Sequence, residues 1–141
     1  MSNNKIEHIY IDKTWWPEGQ WKDEPDTISW IDHETGYHCI IRRSETTGAL
    51  CGYVAIPQSH RDYGKSYKEI KLNVHGGLTY SKLCDDTGKY WIFGFDCCHF
   101  NDLMPIFKLD DYNNNYRNVS YVRNEIEKLV KQLKERGEPN E

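Results

Sequence analysis

The stretch VSYVRNEIEKLVKQL, residues 119–133, decides the architecture. Its apolar residues Val119, Val122, Ile126, Leu129 and Leu133 recur at spacings of three, four, three and four. That is the stripe of one amphipathic helix, which must lie on something apolar. Asn115 or Asn118 can cap its start, and Gly137 with Pro139 ends it. The helix is placed over 115–136, with 137–141 as a frayed tail.

What the helix lies on is read from the residues before it. Thr27–Asp32 alternates, HETG (33–36) makes a turn, and Tyr37–Arg43 is rich in β-branched and aromatic residues. SETTGA (44–49) turns again, and Leu50–Ile56 completes a three-stranded meander that Pro57 stops. After a polar connection, 57–69, a strand resumes over Ile70–His75, bends at Gly76 and Gly77, and continues as Leu78–Leu83. CDDTGK (84–89) is a hairpin turn, and Tyr90–Asp96 returns. The fold expected is α+β: an antiparallel twisted sheet of about five to six strands packed against a C-terminal amphipathic helix. It forms a single domain over 1–141. Residues 1–25 make an N-terminal arm and a loop pinned by Trp15, Trp16 and Trp21, and 26–114 make the sheet and its loops.

With 18 basic and 22 acidic residues the formal charge is −4. That argues against long nucleic acid as partner, since phosphate binders present a basic face. No run approaches the roughly 20 apolar residues of a membrane span, and MSNNKIEHIYIDK has no basic start and apolar run of an export signal. The five Cys therefore read as reduced thiols in a cytosol. Adjacent Cys97 and Cys98 cannot readily pair, and no CxxC exists. No cofactor motif is present.

Four stretches concentrate chemistry. In HGGLTY (75–80), Gly76 and Gly77 free the backbone for φ > 0 beside His75 and Thr79, so N–H groups can meet an anion. A β-bulge that only packs the strand is the plain alternative. In GFDCCHFND (94–102), Asp96, Cys97, His99 and Asp102 suit proton transfer or zinc with His75 as a third ligand, and Cys97 or Cys98 beside a His suits a thiol nucleophile. Against these stand the usual burial of free Cys and the use of Asp to order a loop. HRDYGKSY (60–67) interleaves Arg61 and Lys65 with Tyr63 and Tyr67, the pairing of cation and ring that a base and its phosphate need. A solvated loop whose tyrosines lean on the sheet is the plainer reading. At the helix start, Tyr116, Ser120 and Asn124 form a polar line, and Arg117 and Arg123 stand near N–H groups that favour anions.

CGYVAIP (51–57), the H..YG..Y pattern (60–67), NVHGGLTYS (73–81), YWIFGFDCCHFND (90–102) and YRNVSYVRNEIEKL (116–129) together resemble a family of small, mostly uncharacterised phage and prophage proteins. The resemblance covers roughly residues 50–133 and implies a setting in the cytosol of an infected bacterium. Phage proteins of this size and build include anti-defence sponges, which sequester the cyclic nucleotide or cyclic ADP-ribose signals of CBASS and Thoeris immunity without cleaving them. The resemblance supplies that context and no residue roles.

The leading expectation is a binding protein for a small phosphorylated, nucleotide-like molecule on the sheet rim. Arg61, Lys65, Arg117 and Arg123 would meet phosphate. Tyr63, Tyr67, Tyr116 or Trp91 would stack on a base. His75 and Asp96 would bond ribose or base edges, with Gly76, Gly77, Thr79 and His99 alongside. One rival is a hydrolase of the same ligand working through Asp96, His99 and His75, with or without a metal. The other is an inhibitor of a host protein anchored by Trp15, Trp16 and Trp21. The helix seam and the Trp-rich arm offer apolar surface for a homo-oligomer.

Overall fold

The computed structural model describes residues 6–107 and 115–138. Six strands, β1 (Glu7–Ile9), β2 (Thr27–Ile31), β3 (His38–Arg43), β4 (Leu50–Pro57), β5 (Tyr80–Leu83) and β6 (Tyr90–Asp96), build one antiparallel sheet in the order β1-β2-β3-β4-β6-β5. Helix α1, Val119–Gly137, lies across β3 and β4. The expected α+β architecture is the one observed. Residues 108–114 of the loop expected over 97–115, and 139–141 of the tail expected over 137–141, lie outside the described residues.

Alternation sets the two faces of the sheet. In register, Cys39 opposes Val54 and Val54 opposes Phe93, while Ile41 opposes Gly52 and Gly52 opposes Phe95. These residues share the face that receives Val122, Ile126, Leu129 and Leu133 of α1, all fully buried. Each such helix side chain contributes about 1.5–3 kcal/mol by leaving water. Gly52 is required for close approach. A Cβ there would stand 2.5 Å from the Phe95 ring and 3.0 Å from Ile126.

The strand expected over Ile70–His75 is not formed. Ile70 and Val74 are buried as the alternation implies, but the backbone is satisfied by the helix instead of a neighbouring strand. Asn73 N–H donates to Gln132 Oε1 at 2.7 Å, Gln132 Nε2 donates back to Asn73 O at 3.0 Å, and His75 N–H donates to Glu125 Oε1 at 2.8 Å. Gly76 and Gly77, at φ +70 and +79, then turn the chain, so β5 begins at Tyr80 rather than Leu78.

The two ends of α1 are held by different segments. At its start Asn118 caps Tyr121 N–H, and Glu24 of the N-terminal arm accepts from Val119 N–H at 3.0 Å. Glu24 also accepts from the Tyr116 hydroxyl. Behind it, Asp26 receives buried Lys13 and Arg43 at 2.6 and 2.5 Å. At the other end, Arg136 pairs with buried Asp62 at 2.6 Å, and His60 Nε2 meets Leu133 O at 2.7 Å.

Candidate functional site

Three segments distant in sequence meet beside the first turns of α1. They are the glycine bend, the turn after β6, and the residues from Arg117 to Glu125. Their common point is Asp102, whose side chain is fully buried. Its Oδ2 lies 2.7 Å from His75 Nε2 and accepts His99 N–H at 3.0 Å, and its Oδ1 accepts Arg117 Nε at 2.8 Å. Burial pushes this carboxyl up, but hydrogen bonds from Arg117, His75 and the His99 amide outweigh it and hold the carboxyl below its ordinary range.

An ionised Asp102 fixes the tautomer of His75. In the neutral ring Nε2 carries the proton toward the carboxylate, which leaves Nδ1, 2.7 Å from the Tyr121 hydroxyl, to accept from it. Both ring nitrogens are thereby engaged. The result is a chain of hydrogen bonds from Asp102 through His75 to Tyr121. Above it the Arg117 guanidinium lies 4.9 Å from the centre of the Tyr121 ring. Burial, with Glu125 next in effect, raises the Tyr121 phenol despite Arg117.

Asp96 borders this cluster and is spoken for. It accepts Thr79 Oγ1 at 2.9 Å and Cys98 N–H at 3.1 Å, which orders the turn. His99 Nε2 lies 3.2 Å from Asp96 Oδ1, close enough for a charge contact but without hydrogen-bond geometry. The same ring packs on Gly76, where a Cβ would stand 2.2 Å from Nε2. The second glycine, Gly77, instead lines a cleft of about 440 Å³ together with Tyr67 and Leu78.

The expected site residues therefore divide into groups. His75, Gly76, Thr79, Asp96, His99 and Arg117 come together, and Gly77 and Tyr67 share the adjoining cleft. Arg61, Tyr63 and Lys65 stand elsewhere, at the far end of α1. Lys65 pairs with Asp62 at 3.1 Å, and Asp62 holds Arg136, fifteen residues and so about 22 Å along the helix from Tyr121. The Tyr63 hydroxyl is bonded to Gly88 O, and Trp91 Nε1 donates to Lys65 O at 2.8 Å, so both rings serve that end of the scaffold. Arg123 faces β2, with its guanidinium 4.5 Å from the Trp30 ring centre.

Other expectations are corrected at the helix start. Tyr116 is not a free stacking ring. It packs edge-on against Trp21 at 5.0 Å and bonds Arg43 at 2.8 Å. Two of the N–H groups expected to favour an external anion are already met, Val119 by the Glu24 carboxylate and Tyr121 by Asn118. The Trp-rich loop is mostly core: Trp16 and Trp21 are buried, and Trp15 alone of the three is exposed. As a thiol nucleophile Cys97 is disfavoured, because it is buried and its thiol is pushed well up by that burial, while Cys98 is exposed with its thiol also raised by partial burial. Among the described residues no group of three or more His, Cys, Asp or Glu converges to hold a metal, although the His75 and His99 rings lie 5.8 Å apart.

Asp102 has a larger part than its place in the motif suggested, and Tyr121 was not expected at all. A signal for Tyr121 existed. Tyr121 and Glu125 are four apart and flank the apolar stripe, so they border the buried face. No family model, curated protein or solved structure matches the chain.

Proposed function

We propose that the protein binds and sequesters a small phosphorylated, nucleotide-like molecule at the cluster around Asp102, and does not cleave it. The carrying observation is that one buried carboxylate orients Arg117 and His75 together. Arg117 spends only Nε on Asp102. Among the described residues its two terminal amino groups meet no acceptor, which leaves a planar pair of donors for a phosphate. Such donors are fixed before the ligand arrives, so little is lost in ordering them on binding. The resemblance to small phage proteins supports a cyclic nucleotide or cyclic ADP-ribose immune signal as the ligand, removed from a bacterial defence.

The hydrolase reading keeps one specific support, the Asp102–His75–Tyr121 chain, which can pass a proton from Tyr121 toward the imidazole. The discriminating experiment incubates the protein with cyclic nucleotides and cyclic ADP-ribose isomers, removes free ligand, denatures the protein and identifies what is released. Intact recovery supports sequestration. Altered products select the hydrolase, and no retention removes both.

A further inference from the structure

We infer that the cleft beside Gly77 is a ring-binding subsite for a purine nucleotide, with a phosphate at the cleft mouth distinct from the one that Arg117 meets. This rests on the binding reading above and extends it to residues that reading does not use. The cleft's volume of about 440 Å³ falls within the usual range for small-molecule sites, roughly 300–1,000 Å³. Ile70, Leu72, Leu78 and the Tyr67 ring line it. Of these only Ile70 is buried. Tyr67, Leu72 and Leu78 pack one side against the core and keep the rest of their surface outward, as apolar groups that line the cleft.

Charge chooses among occupants for such a slot. Lys68 and Lys71 are exposed and belong to the same lining, and Lys68 Nζ lies 5.9 Å from the centre of the Tyr67 ring. The neighbouring acid does not cancel them fully, because the Glu69 carboxylate is turned back to accept Ser66 N–H at 2.9 Å. An apolar slot with a tyrosine in its wall and two cations at its mouth complements a flat base joined to a phosphate.

Two features keep the slot in place and open. Tyr67 N–H donates to Ser81 Oγ of β5 at 2.9 Å, and the Ser66–Glu69 capping box holds the short turn that carries Tyr67 and Lys68. At Gly77 no heavy atom lies within 4 Å of where a Cβ would stand. His99 covers Gly76 while Gly77 opens on the cleft, so the double glycine is the wall between the polar cluster and the ring slot.

The test is backbone amide NMR of the full chain titrated with adenosine, AMP and ribose 5-phosphate. Adenosine and AMP are expected to move the resonances of Leu72, Gly77 and Leu78, with AMP at least tenfold tighter. The double substitution Lys68→Ala with Lys71→Ala should remove that advantage and leave adenosine binding unchanged. Leu78→Glu should abolish binding of both, with its folding read from the same spectrum. Unmoved Leu72, Gly77 and Leu78 resonances with both adenosine and AMP overturn the subsite. If ribose 5-phosphate then still shifts His75 and Tyr121, the polar cluster stands without the cleft. Cleft shifts with a silent cluster would instead keep the subsite and remove the ligand from Asp102.

Discussion

His75 Nε2 lies 2.7 Å from the buried Oδ2 of Asp102, and this contact makes the glycine bend and the turn after β6 a single unit. The same carboxylate carries Arg117, so three chain segments lose their arrangement if it is removed. Asp102→Ala leaves the guanidinium and the imidazole without their acceptor. We expect a loss of about 3 kcal/mol in urea unfolding and no detectable ligand retention. A folded, equally stable variant that still retains ligand would sink the proposed site.

Arg117→Lys separates charge from geometry. Lysine keeps the positive charge but offers no planar pair of donors. Stability should fall by about 1 kcal/mol, as expected for a weakened, partly exposed pair. Retention should fall by at least tenfold. Equal retention by the lysine variant would show that the guanidinium plane is not used.

Gly76→Val meets two obstacles, a φ of +70 and the His99 ring 2.2 Å from the new Cβ. Together these should cost more than about 3 kcal/mol. Gly77→Ala meets only the first, since the space around it is empty, and should cost about 1–2 kcal/mol. Thermal melts of the two variants compare them directly. Similar costs would mean that His99 yields freely.

Acid should loosen the far end of the helix. Hydrogen bonding by Arg136, the largest cause, overcomes burial to lower Asp62 to about 2 from 3.8. The carboxyl is held down in the folded state, so its contribution is complete above about pH 4 and is lost as pH falls through 2. Asp62→Asn should therefore be less stable than the parent at pH 6 and converge with it near pH 2. Melting curves across that window report the gap, and a constant gap would contradict the assignment.

Thiol access gives an independent check of the packing. Cys84 and Cys98 are exposed, whereas Cys39 and Cys97 are buried. Burial pushes Cys39 up to about 12 and Cys51 up to about 11. Iodoacetamide at pH 7.5 should modify Cys84 and Cys98 in the native protein and all five thiols after denaturation, as read by mass spectrometry. Rapid native labelling of Cys97 would mean the turn after β6 is not packed as described.

The helix was legible because its stripe has a period no strand shares, and each residue of that stripe from Val122 onward is fully buried. Strands β2, β3, β4, β5 and β6 followed from alternation and turn residues, whereas β1 lies within the stretch read as an arm. Ile70, Leu72 and Val74 misled because period two is necessary for a strand but does not supply a neighbour, and here Gln132 and Glu125 take the backbone bonds. In the candidate site, glycine, histidine and aspartate density marked two segments that meet at Asp102. What sequence could not supply was which cations join them. Lys65 is held by Asp62 and Arg123 by Trp30, and both pairings exist only once the chain has folded.

The Glu24 carboxylate on the first turn of α1 has a consequence for synthesis. Glu24 and Tyr116 are 92 positions apart, and Gln20 and Asn118 are 98 apart. The arm leaves the ribosome well before its docking surface does. Closure of this end of the molecule must therefore wait for the start of the helix, and until then the face of Trp21 that packs on Tyr116 stays open to water or to a chaperone.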